Sequence, residues 1–263
     1  MDIFSVIGLV IGCALVVFGI ISGGGTADQF IDIPSMAIVF GGTFGALFIS
    51  YPFEMFKMIP KHFKLVFGKN PYDAMQYIQQ IVDLAQEARK KGLLALEEKA
   101  ADIEDKFLYD SIMLIVDAIE PDRVKRILET QVDYIDQRHD YVVGFYDRGA
   151  ALAPAFGMIG TVIGLINMLG NLEMSDPSIL GVGMSLALIT TLYGSLLANL
   201  LFTPISSKLI VLHEQERLCL ELIIEGVVSI QAGENPRHIE QKLISFLPVS
   251  MQEEEIEDIK EEE

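Results

Sequence analysis

The chain has 263 residues, of which 51% are hydrophobic and 21% charged, and its formal net charge is −18. A mean hydropathy of +0.40 is too high for one soluble domain and fits a helical membrane protein with a large polar insert. The acidic balance excludes nucleic acid as a partner, because binding a phosphate backbone needs a basic footprint.

In chain order, four apolar segments carry no charge: Ile3–Ala27, Ile33–Phe53, Gly149–Leu172 and Pro177–Ser207. Each has at least the roughly 20 residues a helix needs to cross the hydrocarbon core. All nineteen Lys and Arg residues fall outside them, in the blocks Lys57–Arg148 and Lys208–Lys260. The connectors within each pair of segments hold only acids, Asp28 and Asp32 and then Glu173 and Asp176. Cationic loops stay in the cytoplasm, so both termini and the 57–148 block are expected inside and the two short connectors outside.

The first segment lacks a basic leader (Asp2 is acidic), outruns a typical signal h-region and ends at Gly23–Gly25 without a small-x-small cleavage site. It reads as a retained span. Residues 1–55 therefore form a transmembrane hairpin turning over Ser22–Pro34, with Pro34 in the first turn of its second helix. Pro52 and Pro60 mark the exit.

Residues 56–148 read as a helical cytoplasmic domain. Met75, Ile78, Ile81, Val82 and Ala85 recur at helical spacing, as do Ile112, Ile115, Val116 and Ile119. Gly92 and Pro121 punctuate the block, and Asp122 is a candidate cap for the next helix. That helix runs through Tyr146 into the third span without a loop signal, which would couple the cytoplasmic block mechanically to the membrane.

Residues 149–207 form a second hairpin, joined over Gly170–Ser178. The helical pattern persists through 208–250 to about Ala232, breaks at Gly233, Asn235 and Pro236, and resumes at Arg237–Phe246. Residues 251–263 form an acidic tail that reads as solvated and disordered. The fold class is an all-α membrane protein: four transmembrane helices in two hairpins, a helical cytoplasmic domain inserted between the second and third, and a cytoplasmic C-terminal helix.

No Asp, Glu, Lys, Arg or His lies within any of the four spans. Ion pumps and channels ordinarily hold an ionisable group in the membrane, so this chain either moves no ions or relies on a partner's carboxylate. No serine elbow, HExxH, P-loop or GxGxxG motif is present, and no metal-ligating set is legible. His62, His139, His213 and His238 stand far apart in polar stretches and read as exposed helix positions. Cys13 and Cys219 have no partner at metal or disulfide spacing and read as reduced structural residues.

Gly8/Gly12, Gly19/Gly23, Gly41/Gly45 and Gly160/Gly164 each make a G-x-x-x-G, which lets helices approach closely in lipid and favours a tightly packed bundle or oligomer. Thr161 lies seven residues after Pro154, nearly on its face. Thr190 and Thr191 lie midway along the fourth span. Such hydroxyls commonly bond back to their own helix; the other reading is that they line a hydrated ion path. Pro154 and Pro204 free the carbonyls of Ala150 and Leu200 and are expected to kink their helices.

Several strings resemble the flagellar motor stator family, MotA/PomA. They are Pro154-Ala-Phe-Gly-Met-Ile-Gly-Thr161, Ile189-Thr-Thr-Leu-Tyr-Gly194 and Glu87-Ala-Arg-Lys-Lys-Gly-Leu-Leu-Ala-Leu-Glu97. The resemblance runs through essentially the whole chain up to the tail. It implies that Pro154 and Pro204 match prolines linked to conformational change during ion flow. Thr161 and Thr191 match positions where threonines help pass sodium in sodium-driven members, with Thr190 beside them. Arg89 and Glu97 match a charged pair that faces the rotor protein FliG, and Lys90 is the adjacent alternative to Arg89. It further implies a ring of five copies around two copies of a single-span MotB/PomB-type partner. That partner carries the ion-binding Asp, which accounts for the uncharged spans. The family acts in the inner membrane, uses no cofactor and is not enzymatic. The transported ion is H+ or Na+, with the threonines leaning to sodium. The alternative is an ExbB/TolQ-type force transducer for outer-membrane energisation, against which the span count argues. A permease would show intramembrane charges or broken helices in repeated halves, and neither is found.

Overall fold

A computed structural model describes residues 3–170, 177–249 and 252. Residues 171–176 of the second connector, with Glu173 and Asp176, and the acidic tail from Glu253 lie outside the described residues. Every element among the described residues is helical, and four helices are long and apolar enough to cross a membrane.

The first is α1 (Ile3–Ser22), with no buried residue. A short 3-10 turn, Ala27–Phe30, leads to α2 (Ile33–Met36). Asp32 caps α2 by accepting the Ser35 N–H at 2.8 Å, and Pro34 occupies its first turn as expected. The helix continues through a π turn, Ala37–Gly41, into α3 (Gly42–Ser50). Next is α4 (Phe53–Val66), capped at Pro52. Pro60 lies inside α4 rather than ending it. It stands eight positions after Pro52, in a helix with one buried face (Met55, His62, Val66), and that packing tolerates the lost hydrogen bond.

Beyond it come α5 (Ala74–Lys91), a 3-10 turn at Leu93–Ala95, α6 (Leu96–Ala100) and α7 (Lys106–Val116). Asp73 and Asp105 cap α5 and α7 with their side chains. The longest helix, α8, runs unbroken from Pro121 to Gly170, through Pro154. Its start corrects the cap expected at Asp122. Pro121 opens the helix, so Glu120 takes the cap position and its carbonyl accepts the N–H groups of Arg123 and Val124. Asp122 instead sits in the first turn, where an acid meets the positive end of the helix dipole. The fourth apolar helix is α9 (Pro177–Leu196), a π turn at Leu197–Phe202 and α10 (Thr203–Gln231). Gly233, at φ +72°, ends α10, and Asn235 caps α11 (Pro236–Ile244).

The chain divides into two compact units. One holds Met1–Asn70 and Asp140–Val211, the other Pro71–His139 and Leu212–Glu263. The core of the first joins Val39 and Leu47 to Phe145, Tyr146, Ala153, Ile189, Tyr193 and Phe202. Aromatic contacts dominate it: Phe145 packs edge-on against Tyr51 and Phe56, and Tyr146 touches Phe202. The core of the second joins Ile78 and Ile81 of α5 to Leu108 and Ile112 of α7, Val124 and Leu128 of α8, Ile223 and Val227 of α10, and Ile239 and Leu243 of α11. Several of these are fully buried, each worth about 1.5–3 kcal/mol against exposure. The apolar periodicities read from the sequence thus mark the faces that pack this unit.

A candidate ion-path helix pair and a candidate rotor face

Helices α8 and α9 meet through small residues. A Cβ placed on Gly160 would stand 2.5 Å from Thr190 Cβ, and one on Gly157 would stand 2.9 Å from the Thr190 carbonyl oxygen. One on Gly164 would meet the Gly183 carbonyl oxygen at 2.5 Å, and one on Gly194 the Ala153 carbonyl oxygen at 2.6 Å. Gly160/Gly164 is therefore a contact pair. Gly8, Gly19, Gly41 and Gly45 have no neighbour within 4 Å inside the chain.

The candidate threonines stand at this contact. Thr190 is fully buried, and its hydroxyl donates to the Leu186 carbonyl at 2.9 Å. Thr161 and Thr191 are brought together across the two helices, with hydroxyl oxygens 2.7 Å apart. Thr161 also reaches the carbonyls of Gly157 and Ala187, and Thr191 reaches that of Ala187, each at 3.1 Å. Each threonine thus bonds back to its own helix, and only Thr161 and Thr191 pair with each other. Thr191 and Pro154 are exposed and Thr161 is half-buried, so the paired hydroxyls lie on the open side of the contact while Thr190 packs inside it. Pro204 is also exposed and directly follows the π turn, two residues after Phe202.

A contact between Tyr193 and Asp32 is not legible in the sequence. The Tyr193 hydroxyl donates to the Phe30 carbonyl and accepts the Asp32 N–H at 3.2 Å, tying α9 to the turn before α2. The Asp32-Ile-Pro34 string was a readable start signal; its partner Tyr193, 161 residues away, was not.

Of the candidate rotor residues, Arg89 and Lys90 lie in the last turn of α5 and Glu97 in the first turn of α6. Arg89, Lys90 and Glu97 are exposed, and among the described residues none of the three closes an ion pair. Lys91 is held by Glu87 at 2.6 Å, and that hydrogen bond pushes the Lys91 pKa up and the Glu87 pKa down. The consecutive cations are thereby sorted into one engaged and two available. Between them and Glu97 stands Leu94, 74% exposed, which composition and spacing did not single out.

The reading of all four histidines as exposed is corrected. His238 is exposed, but His62 is 7% exposed and bonds the Tyr146 hydroxyl at 3.0 Å. Burial lowers the His62 pKa. His139 and His213 are half-buried with their Nδ1 atoms 2.9 Å apart. Long helices align residues far apart in sequence, which spacing along one strand of text does not reveal.

Residues 99–221 match the MotA/TolQ/ExbB proton channel family, and residues 6–92 match the Motility protein A N-terminal family. The chain is 40% identical over 254 residues to Motility protein A of Treponema pallidum, covering 97% of each. It is 38% identical over 247 residues to Chemotaxis protein PomA of Vibrio alginolyticus, covering 94% of this chain and 96% of that one. Among solved structures it is similar to a chain of the flagellar MotAB stator complex from Bacillus subtilis, at 30% identity and a TM-score of 0.87 over 95% of this chain and 98% of that one.

The chain belongs to the MotA/TolQ/ExbB proton channel family. Within it the chain stands on the motility branch, as a multi-pass membrane stator subunit of the flagellar motor. A stator subunit needs an ion-facing surface and a rotor-facing one, and the Thr161–Thr191 pair and the free charges around Leu94 are the candidates for each.

Proposed function

We propose that this stator subunit forms a five-membered ring around two copies of a MotB/PomB-type single-span partner in the inner membrane. The similar solved structures are named as MotAB, one of them as the flagellar MotAB stator complex, which supports such a partner here. The four apolar helices then form two hairpins, with both termini and the 56–148 domain in the cytoplasm, as the distribution of Lys and Arg favours.

The observation that carries the reading is the absence of any Asp, Glu, Lys, Arg or His in the spans, beside a pair of hydroxyls on the open side of α8 and α9. The ring gives packing, a dry barrier and the Thr161 and Thr191 oxygens, while the partner's Asp holds the ion. Thr190 keeps the helix contact itself in register. Each ion releases about 2.3 kcal/mol per 100 mV of membrane potential. Neutralising and recharging the partner's Asp changes which ring contacts are favoured, and the ring turns stepwise. Pro154 and Pro204 supply weakened points in the helix ladders. Arg89 or Lys90, with Glu97, engages the rotor protein FliG, and Leu94 adds apolar area between them.

Charge reversal tests the rotor face. Arg89→Glu and Glu97→Lys abolish or slow swimming while membrane insertion and partner binding persist; normal swimming in both single variants and the double variant removes the assignment. The transported ion is H+ or Na+. Swimming speed that rises with external sodium at fixed pH marks sodium. Speed indifferent to sodium that collapses with a protonophore marks the proton.

A further inference from the structure

Away from the spans, two helices bring a compact set of ligating atoms together. On α8, Asp136 and His139 share a face one turn apart; on α10, His213 and Glu216 do the same. One atom each from His139, His213 and Glu216 lies within 4.8 Å of the others. His139 Nδ1 stands 2.9 Å from His213 Nδ1 and 3.4 Å from Glu216 Oε2. Ligand atoms around a tetrahedral zinc ion with bonds of about 2.0–2.1 Å are separated by about 3.3 Å; the two edges from His139 are near that spacing, and the widest separation in the set, within 4.8 Å, must shorten by side-chain rotation when an ion is held.

The surroundings favour bare nitrogens pointing inward. His213 Nε2 lies 3.4 Å from Asp136 Oδ1, a buried carboxylate oxygen with no hydrogen-bond partner among the described residues. The Asp136 carboxylate favours the proton on Nε2, and His213 Nδ1 is then the acceptor in its contact with His139. His139 Nδ1 then faces two acceptors, His213 Nδ1 and Glu216 Oε2, with at most one proton for both. One proton cannot serve both acceptors fully, and a cation that replaces it and draws the three side chains inward would engage all three donor atoms. A carboxylate behind a ligating histidine is also the usual outer support of a zinc site. Arg217 holds Asp136 from the other side at 3.8 Å, and the Tyr72 hydroxyl bonds Glu216, fixing both carboxylates.

We propose that His139 Nδ1, His213 Nδ1 and Glu216 form a binding site for a zinc-class divalent cation, with water as fourth ligand and Asp136 orienting His213. Two imidazoles and one carboxylate select a borderline transition metal over Mg2+ or Ca2+, which take oxygen ligands. The side chains of His139 and His213 are 36% and 15% exposed, which leaves a path for entry. The ion clips α8 to α10, and the site is independent of the ion path and the rotor charges.

The test uses the full chain purified with its partner subunit in detergent, without a polyhistidine tag, stripped by chelator and titrated with Zn2+ and with Co2+. The expected result is one Zn2+ per chain, a visible Co2+ band of four-coordinate type, and a higher unfolding midpoint with Zn2+. The double variant His139→Ala/His213→Ala loses all three. Asp136→Asn, which leaves every ligand in place, binds about 10–100-fold more weakly. No stoichiometric Zn2+ on the wild-type complex overturns the site, and that result does not depend on any variant folding. Unchanged binding in a folded double variant overturns the ligand assignment, and unchanged affinity in Asp136→Asn overturns the orienting role.

Discussion

Gly160 and Thr190 meet with no room for another atom, so the smallest substitutions carry the most information. Gly160→Val places branched carbon against Thr190 Cβ, where a Cβ alone would already stand at 2.5 Å, and both backbones are helical. Overpacking of this kind costs about 1–3 kcal/mol. The expected result is a lower unfolding midpoint in detergent and impaired swimming. At His62 the expectation concerns pH. Burial lowers its folded pKa, while the unfolded chain takes up a proton near pH 6.5. Its neutral form therefore stabilises fully above about pH 6.5, and that contribution is lost as pH falls towards the folded pKa. His62→Gln, which keeps a polar group facing Tyr146, should lose less stability than wild type between pH 7.5 and 5.5, in thermal melts of each. Parallel melting curves would refute the assignment. None of this was legible beforehand: Gly160 was visible only as part of a repeated small-residue motif, and burial of His62 depends on Tyr146, 84 residues away.

Among the elements, those set by local chemistry were read well and those set by neighbours were not. α8 was continuous in the sequence because no Gly or Pro cluster interrupts residues 122–153, and the structure keeps it whole. The stop at Gly233 and the restart at Pro236 were likewise explicit. The cap lies two positions before the expected Asp122, because a proline at the first helical residue places the cap at Glu120. The π turn at Leu197–Phe202 was half visible as an expected defect around Pro204. The one at Ala37–Gly41 contains no proline. It precedes Gly42, where any side chain would collide with the Phe156 ring, and that contact is absent from the text of either helix. Pro204→Ala restores an N–H for the Leu200 carbonyl. It should raise thermal stability, by up to about 3 kcal/mol, while reducing swimming speed if the weakened ladder serves motion. A fall in stability instead would show that the proline is needed for packing.

For the molecule as a whole, composition reads as a helical membrane protein, and no residue of α1 is fully buried within the chain. Lipid and neighbouring copies are the remaining places for that surface in the proposed ring. Gly45→Leu tests the second: nothing lies within 4 Å of a Cβ there, so the single chain should keep its stability while the ring falls apart, as read by native mass spectrometry. An intact ring would place Gly45 against lipid. The acidic tail lies beyond the last core residue, Leu247. Deleting residues 253–263 should therefore change stability by no more than about 0.5 kcal/mol, with thermal melts as the check. Membrane character, helical class and family were all carried by patterns spread along the chain. The Thr161–Thr191 pair, Leu94 between its charges and the His139–His213 contact were not, because each needs a second segment to define it.

The two π turns act as phase shifters. Each inserts about one residue beyond the ordinary winding, so the side chains after it are rotated by about 100° from where an uninterrupted helix would carry them. Every face from Thr203 to Val211 is thus dealt out by the six residues before it. Removing one residue from Leu197–Phe202 would leave a regular helix only one residue shorter and still apolar along that stretch. It would turn Ile205 and Leu209, both buried, out of the core and bring other side chains in. A hydropathy profile would not register the change. In this protein one residue more or fewer inside a span can matter more than the identity of the residue.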